Sequence, residues 1–223
     1  MNSSLFDFDK VKTENYSFLI GTDEAGRGPG AGPVFSAAVC FTKMDSNLIE
    51  LLKKVNDSKK LNEKTREELF EIIKENSIYH IDSASVEEIE KLNILQASLL
   101  SMKRSCSCVI EKLNEKNIKI LIDGNKNIPN YKVEQEFVIK GDSKSASIAA
   151  ASILAKVSRD RFMAELAKEF PQYKWEQNKG YLTKDHLNAI DKYGITKWHR
   201  EKFLEKHFNR AEQKTLTLCL SND

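Results

Sequence analysis

The chain has 223 residues, of which 40% are hydrophobic, and its 35 basic residues nearly balance its 33 acidic residues. This length and apolar content predict one sizeable domain with a hydrophobic core. The near-neutral charge excludes a globally basic nucleic-acid-binding protein, so any nucleic-acid site must be a local surface. No apolar run approaches the roughly 18–20 residues that span a bilayer, and the polar, partly acidic N-terminus predicts neither a signal peptide nor a typical transit peptide.

The four cysteines favour free thiols in a reducing compartment. They are Cys40, Cys106, Cys108 and Cys219, and none forms a C-x-x-C pair. The C-x-C spacing of the middle two, within a helical pattern, is a poor start for a tetrahedral zinc site. We therefore expect a cytoplasmic protein without membrane association.

The first third of the chain predicts a strand hairpin followed by two helices. Residues 17–23 and 33–41 are short apolar segments typical of buried strands, and the glycines between them favour a hairpin. Helical spacing of apolar residues follows at 46–55 and 61–76, the second helix opening with Asn62 as its N-cap.

The rest of the chain alternates predicted strands and helices. Strands are expected at 77–85, 118–124 and 133–142, and helices at 86–116, 145–170 and 184–193. This order predicts an α/β domain around a mixed sheet. We assign one domain, with a core at about 17–170, a helical C-terminal cap at about 171–210 and a weakly ordered tail at 211–223.

Three of the predicted strands end in an acidic residue, namely Asp23, Asp123 and Asp142. In open α/β sheets, ligands gather at the carboxyl ends of strands, so these acids can converge from distant parts of the chain. Glu24 follows Asp23 directly, and successive strand side chains point to opposite faces. The two can share a site only if the strand stops or bends between them.

Such a group of carboxylates suits a metal site. Two unit charges 4 Å apart repel by about 4 kcal/mol at an effective dielectric near 20. An oxygen-only set favours Mg²⁺ or Mn²⁺ over zinc, and two such ions can act together on one phosphate. The residues alone leave open that each acid caps a helix or starts a turn. Asp160, in mid-helix between two arginines, we interpret as part of an i,i+4-type ion pair.

The segments assembled so far resemble the ribonuclease HII family. The likeness runs in order over roughly residues 17–204, through TDEAGRGPGAGPV, DSKKL, EIEKLNILQASLLSM, LIDGN, KGDSKSASIAAASILAKVSRDRFM, NKGYLTKDH and YGITKWHREKF. It implies a ribonuclease H-like fold, with a central mixed five-stranded sheet flanked by helices and a C-terminal helical extension. Departures are Gly30, where the family often has a larger apolar residue, and the HREKF ending.

The resemblance implies a metal-dependent endoribonuclease, expected to be a monomer. Its substrates would be the RNA strand of RNA–DNA hybrids and single ribonucleotides embedded in duplex DNA, cut on the 5′ side to leave 3′-hydroxyl and 5′-phosphate ends. The cellular role would be removal of misincorporated ribonucleotides and of RNA primers. The catalytic and metal-binding acids fall on Asp23, Glu24, Asp123 and Asp142, holding two Mg²⁺ or Mn²⁺ ions.

The resemblance also implies substrate-binding residues. Gly26, Arg27 and Gly28 match a loop whose backbone reads the ribose 2′-hydroxyl, the group that distinguishes RNA from DNA. Tyr181 matches a tyrosine that stacks on the sugar after the ribonucleotide, although it could instead anchor the C-terminal cap. Phosphate contacts are expected from loop residues that could equally be solvated surface groups: Lys59, Lys60, Lys144, Ser58 and Ser145.

Three further motif residues and two alternative functions remain. We interpret His199 and Arg200 mainly as structural, and His186 as a weak candidate for a phosphate contact. One alternative is a non-catalytic hybrid-binding module with the same fold. The other is a nucleotide-binding enzyme built on the glycine loop, which the order strand–glycines–strand disfavours, because phosphate-binding loops open helices.

Overall fold

The centre of the molecule is a five-stranded mixed sheet. The computed structural model describes residues 5–43, 46–52 and 61–209. Its strands are β1 (Phe18–Ala25), β2 (Val34–Cys40), β3 (Ile78–Ala84), β4 (Ile118–Asp123) and β5 (Glu134–Val138). They lie in the order β3-β2-β1-β4-β5. The pairs β1–β2 and β2–β3 are antiparallel, and the pairs β1–β4 and β4–β5 are parallel. The predicted mixed five-stranded sheet and the hairpin between its first two strands are confirmed.

Helices flank this sheet and form the C-terminal extension. They are α1 (Leu5–Thr13), α2 (Ser46–Leu51), α3 (Glu63–Asn76), α4 (Val86–Leu92), α5 (Ile94–Leu113), α6 (Ala146–Glu169), α7 (Trp175–Asn178), α8 (Lys184–Tyr193) and α9 (residues 201–209). Short 3₁₀ turns at Gly141–Ser143 and Pro171–Tyr173 precede α6 and α7. None of the helices within the described ranges combines the length and apolar character needed to cross a membrane.

The two faces of the sheet are covered by different helices. Along β2, Ala37 and Val39 belong to the core shared with α3 and α6, whereas Ala38 and Cys40 belong to the core shared with α5. This alternation follows from the two-residue period of a strand. Helix α6 lies very close to β1, since a Cβ atom added at Gly21 would lie 2.3 Å from the backbone nitrogen of Ile148. The many alanines of α6 allow the helix to approach the sheet this closely.

The prediction of one long helix at 86–116 is wrong, because the segment forms two helices that meet at Asn93. Asn93 has φ of 69° and ends α4, while its side chain accepts hydrogen bonds from the amides of Leu95 and Gln96 and so caps α5. Asparagine tolerates this left-handed φ better than most residues and is a favoured N-cap. The apolar spacing continues across the break, so periodicity alone did not reveal it.

Two element boundaries and one additional helix also differ from the sequence expectations. The strand predicted at 133–142 ends at Val138, and Asp142 lies beyond it in a 3₁₀ turn. Helix α1, whose Leu5 and Phe6 are buried, was not predicted. The helix predicted at 46–55 is observed at Ser46–Leu51, and residues 53–55 lie outside the described ranges. The Asn62 cap of α3 is confirmed, since its side chain accepts a hydrogen bond from the Thr65 amide.

The C-terminal extension packs against the second half of α6. A buried cluster joins Met163 and Leu166 of α6 to Trp175, Ile190 and Leu204 from the following helices. The sequence predicted only the helix at 184–193, which is confirmed, so α7 and α9 are additional. The tail 211–223, with Cys219, lies outside the described residues. The other three cysteines are free, as expected.

Candidate active site

Asp23, Glu24 and Asp123 lie together at the carboxyl ends of two neighbouring parallel strands. β1 and β4 pair in register up to Thr22 and Ile122, so the residues that follow these two are adjacent. Asp142 joins them from the turn after β5. Burial raises the pKa of Asp23 well above its ordinary value, and the charges of Glu24, Asp123 and Asp142 raise it further. All four predicted acids therefore converge at one edge of the sheet.

Backbone amides fix two of these carboxylates. The amide of Glu24 donates to Oδ1 of Asp23 at 2.7 Å, and the amide of Gly141 donates to Oδ1 of Asp123 at 2.6 Å. A Cβ atom at Gly141 would lie 3.2 Å from that oxygen and 2.5 Å from Cδ1 of Ile148. Glycine is therefore needed where the turn carrying Asp142 passes Asp123.

The strand does not stop between Asp23 and Glu24, so of the two conditions that the sequence allowed, a stop or a bend, the stop is excluded. β1 continues to Ala25, with Asp23 and Glu24 both paired to β2. Glu24 instead lines a narrow cleft with Asp123, beside α5. Burial raises the pKa of Glu24, Arg27 opposes that shift, and Asp123 adds to it. Asp123 thus lies within electrostatic reach of both β1 acids.

The donor set suits a hard divalent cation, although its ligands are not gathered into a coordination shell. All four groups are carboxylates, the ligands preferred by Mg²⁺ and Mn²⁺. Within the described residues, no three histidine, cysteine, aspartate or glutamate side chains are placed to hold a metal ion together. The acids nonetheless form a concentrated negative site in which a bound cation would relieve the crowding of charge.

The glycine loop lies directly beside these acids and is held by two buried arginines. Arg200 donates to the carbonyls of Gly26, Arg27, Pro29 and Gly32. Arg159 donates to the carbonyls of Ala31, Pro33 and Lys179. Because each guanidinium presents several donors in a rigid plane, the two side chains fix the course of the loop.

Close neighbours require glycine at Gly26 and leave little room for a side chain at Gly28. Gly26 has φ of 103°, and a Cβ atom there would lie 2.1 Å from Nε of Arg159. A Cβ atom at Gly28 would lie 3.3 Å from the ring of Tyr181. Tyr181 is 50% exposed, so its ring lines the open side of the loop. The loop and the tyrosine, which are far apart in sequence, form one surface.

Comparison with known proteins fits this arrangement. The family model for ribonuclease HII matches residues 20–211. The chain belongs to the ribonuclease HII family. A ribonuclease HII from Fusobacterium nucleatum is 47% identical over 216 residues, covering 96% of this chain and 97% of its own. Another, from Pelagibacter ubique, is 54% identical over 188 residues, covering 83% of this chain and 95% of its own.

A solved structure also matches the fold. The PCNA:RNase HII complex from Archaeoglobus fulgidus aligns with a TM-score of 0.66 and 26% identity, over 82% of this chain and 93% of that chain. The predicted ribonuclease H-like fold is confirmed. By its family, this chain is an endoribonuclease of the ribonuclease H type, so the alternative of a non-catalytic module is not supported.

The ribonuclease HII motif residues near the C-terminus are mostly buried. His186 is fully buried and cannot reach a phosphate from this position. Its Nδ1 is 2.9 Å from the carbonyl of Tyr181, and its Nε2 accepts from the indole of Trp175 at 3.0 Å. The Nε2 atoms of His186 and His199 are 3.2 Å apart. These contacts hold the backbone carbonyl of Tyr181 in place from the buried side. They are consistent with the structural interpretation of His199 and Arg200.

The structure describes two of the predicted phosphate-binding residues. Lys144 is exposed in the turn after Asp142. Ser145 is buried, and its hydroxyl oxygen accepts a hydrogen bond from the Ile148 amide as the N-cap of α6. Lys59, Lys60 and Ser58 lie outside the described residues.

Two residues deserve comparison because both lie in the segment SRDRF. Asp160 forms the expected i,i+4 ion pair, with Lys156 at 2.7 Å. Sequence reasoning missed the role of Arg159. A signal was available, because Arg159 is four residues from both Ala155 and Met163, which are buried. A charged residue on the buried side of a helix needs polar partners.

Proposed function

We propose that Asp23, Glu24, Asp123 and Asp142 hold two Mg²⁺ or Mn²⁺ ions and hydrolyse the RNA strand of RNA–DNA hybrids. At a single ribonucleotide within duplex DNA, the cut falls on its 5′ side and leaves 3′-hydroxyl and 5′-phosphate ends. The observation that carries this proposal is the convergence of the four acids beside the loop bearing Gly26–Gly28.

The acids supply the binding site, and the ions supply the main chemistry. When bound, divalent ions activate water and stabilise the charge that develops on a phosphodiester. The side chains hold the ions and orient them. The amides of Glu24 and Gly141 each bond to one oxygen of Asp23 and Asp123, which orients both carboxylates.

Selection of the ribonucleotide rests on the glycine loop. Side-chain-free residues let the backbone approach the 2′-hydroxyl closely, and the arginine contacts keep that backbone in place. A site that hydrogen-bonds a hydroxyl discriminates strongly against a substrate lacking it, because its polar groups are then left unpaired. Arg27, whose Nη1 lies 3.3 Å from Glu24, connects the loop with the acids.

Tyr181 and the lysines complete the substrate surface in this proposal. The ring of Tyr181 is exposed next to Gly28 and offers a flat apolar surface to the sugar that follows the ribonucleotide. Lys144, Lys59 and Lys60 would contact phosphates, whereas Ser145, fully buried as the N-cap of α6, would only position the turn that carries Lys144. Free cysteines support a cytoplasmic location. We propose that the enzyme acts as a monomer.

A duplex carrying one ribonucleotide tests the proposal. The protein is incubated with it and with the all-deoxy duplex, each with Mg²⁺, with Mn²⁺ or with EDTA, and the cut is mapped at nucleotide resolution. The expected result is one metal-dependent cut 5′ of the ribonucleotide. Cleavage in EDTA would overturn the metal assignment, and equal cleavage of the all-deoxy duplex would overturn the role of the glycine loop.

A further inference from the structure

A cavity of about 650 Å³ lies between α1, the start of β1, the end of β2 and the start of α6, and it is separate from the candidate active site. Its volume is within the range of small-molecule sites, roughly 300–1,000 Å³. The aromatic rings of Phe6, Phe18 and Phe41 line it. The cavity exists because of α1, the helix that sequence reasoning missed.

A buried carboxylate with an unused oxygen also lines this cavity. Asp9 is 2% exposed. Its Oδ2 accepts from the amide and the hydroxyl of Ser147, both at 2.8 Å. Its Oδ1 is buried and makes no hydrogen bond of standard geometry within the described residues, although the hydroxyl of Ser145 also interacts with this carboxyl group. A ligand that donates to Oδ1 would complete the hydrogen bonding of this buried carboxyl group.

The charge of the lining selects the kind of ligand. Three acids, Asp7, Asp9 and Glu14, line the cavity together with one base, Lys10. Asp7, Lys10 and Glu14 are exposed, whereas Asp9 lies deep. Negative charge next to aromatic rings favours an organic cation, which gains from both the carboxylate and the ring faces. A divalent metal is disfavoured, because it needs about six oxygen ligands.

We propose that this cavity binds a small organic cation, an ammonium group on an apolar or aromatic body, with the ammonium donating to Oδ1 of Asp9. The apolar body packs against the three phenylalanines. Asp9 also contacts the first turn of α6, the helix that begins four residues after Asp142. The ligand site is thus joined to the turn that carries the fourth acid.

Phenethylamine, charged at pH 7.5, is a suitable probe, with 2-phenylethanol as its neutral counterpart. Binding to the full chain is detected by saturation-transfer NMR and titrated. The expected result is that the amine binds about tenfold or more tightly than the alcohol, as for a charge-assisted hydrogen bond. Equal affinities, or no detectable binding of the amine, would overturn the proposal.

Two variants locate the site. Asp9→Asn keeps an amide oxygen for Ser147 but removes the charge, so the preference for the amine should disappear. Asp191→Asn, an exposed acid on α8, is the matched control and should retain it. Ile49→Trp fills the cavity without altering Asp9 and should abolish binding of both probes. A folded Asp9→Asn protein with its amine preference intact, or an Ile49→Trp protein that binds as before, would refute the site.

Discussion

At the scale of single residues, the four acids differ in how they reach the site. Asp23, Glu24 and Asp123 are residues of strands, whereas Asp142 lies in a turn whose Gly141 amide bonds to Asp123. Asp160, the aspartate within α6, forms an ion pair with Lys156. The structure therefore gives Asp142 and Asp160 different surroundings, and substitution can separate them.

Asp142→Asn should reduce cleavage of a single-ribonucleotide duplex by about 100-fold or more, the scale on which single electrostatic groups act in active sites. Binding of the hybrid should persist, because the change is nearly isosteric. Asp160→Asn is the matched control and should cleave normally. Steady-state kinetics and a gel-shift assay measure the two properties, and unchanged turnover in Asp142→Asn would show that the fourth acid is misassigned.

Asp23→Asn should raise the free energy of unfolding in the absence of divalent metal. Burial and three neighbouring acids disfavour the charged form of Asp23, and removing that charge relieves the repulsion. The same variant should lose the increase in melting temperature that Mn²⁺ gives the wild-type protein. Thermal unfolding with and without Mn²⁺ measures both effects, and a destabilised variant that still responds to Mn²⁺ would contradict the metal site.

Tyr181→Ala should lower cleavage at a single ribonucleotide by about tenfold, corresponding to about 1.4 kcal/mol of lost contact. Because Tyr181 is half-exposed, the free energy of unfolding should change by less than about 1 kcal/mol. Tyr193→Ala, with 54% exposure on α8, should leave cleavage unchanged. Equal losses of stability and activity in Tyr181→Ala would instead indicate that the ring anchors the C-terminal extension.

At the scale of elements, the glycine loop is ordered by parts of the chain that follow it by more than a hundred residues. Arg159 comes from α6, and Arg200 immediately precedes α9, yet both donate to carbonyls between Gly26 and Pro33. Burial, with a further contribution from the charge of Arg159, lowers the pKa of Arg200 to about 9, and the charge of Glu90 offsets part of this cost of a buried cation. The loop geometry thus depends on the C-terminal extension.

Arg200→Lys should disrupt the loop even though it keeps the positive charge. A lysine cannot reach four carbonyls with one rigid planar group, so we expect a loss of about 2–4 kcal/mol in the free energy of unfolding and a loss of ribonucleotide selectivity. Arg161→Lys is the control: its guanidinium pairs with Glu67 and Glu71 at the exposed surface, so the change should cost less than about 1 kcal/mol and leave selectivity unchanged. Urea unfolding and cleavage of ribo- and all-deoxy duplexes measure the effects; wild-type values for Arg200→Lys would refute the role given to it.

At the scale of the whole molecule, the buried histidine pair links the C-terminal extension to global stability. Burial is the main cause that lowers the pKa of His199 to about 4, and the nearby His186, whose own pKa is lowered by burial, adds to the effect. Both side chains are therefore neutral in the folded protein. Protonation favours the unfolded chain, in which a histidine has its ordinary pKa near 6.5.

The free energy of unfolding should therefore fall as the pH decreases from about 6.5 to 4, by about 3 kcal/mol from His199. The raised pKa values of Asp23 and Glu24 act in the opposite direction over their own range, so the wild-type curve alone does not isolate the histidine. The difference between wild type and His199→Gln does. An identical pH dependence in wild type and His199→Gln would contradict this account.

The sequence by itself determined the mixed sheet, the three acids in or next to apolar strands, and the glycine loop after β1. These features are local: apolar runs, turn residues and spacing specify them within a few positions. The strand pattern also pointed to Asp142, although that residue lies in a turn beyond its strand, and the family motifs added Tyr181. Gly141 also illustrates the limit, because its need for glycine depends on Asp123 and Ile148 rather than on its neighbours in sequence.

Only the tertiary structure decided how the loop is held, where His186 lies and what α1 does. Arg200 contacts carbonyls about 170 residues away, and Asp9 contacts Ser147, 138 residues away. No periodicity encodes such partners, since a buried polar group is satisfied by whatever the fold brings next to it. The break at Asn93 was not predicted for a related reason. The apolar spacing continues through it, and the left-handed φ of Asn93, which ends one helix and starts the next, is a property of the packed chain.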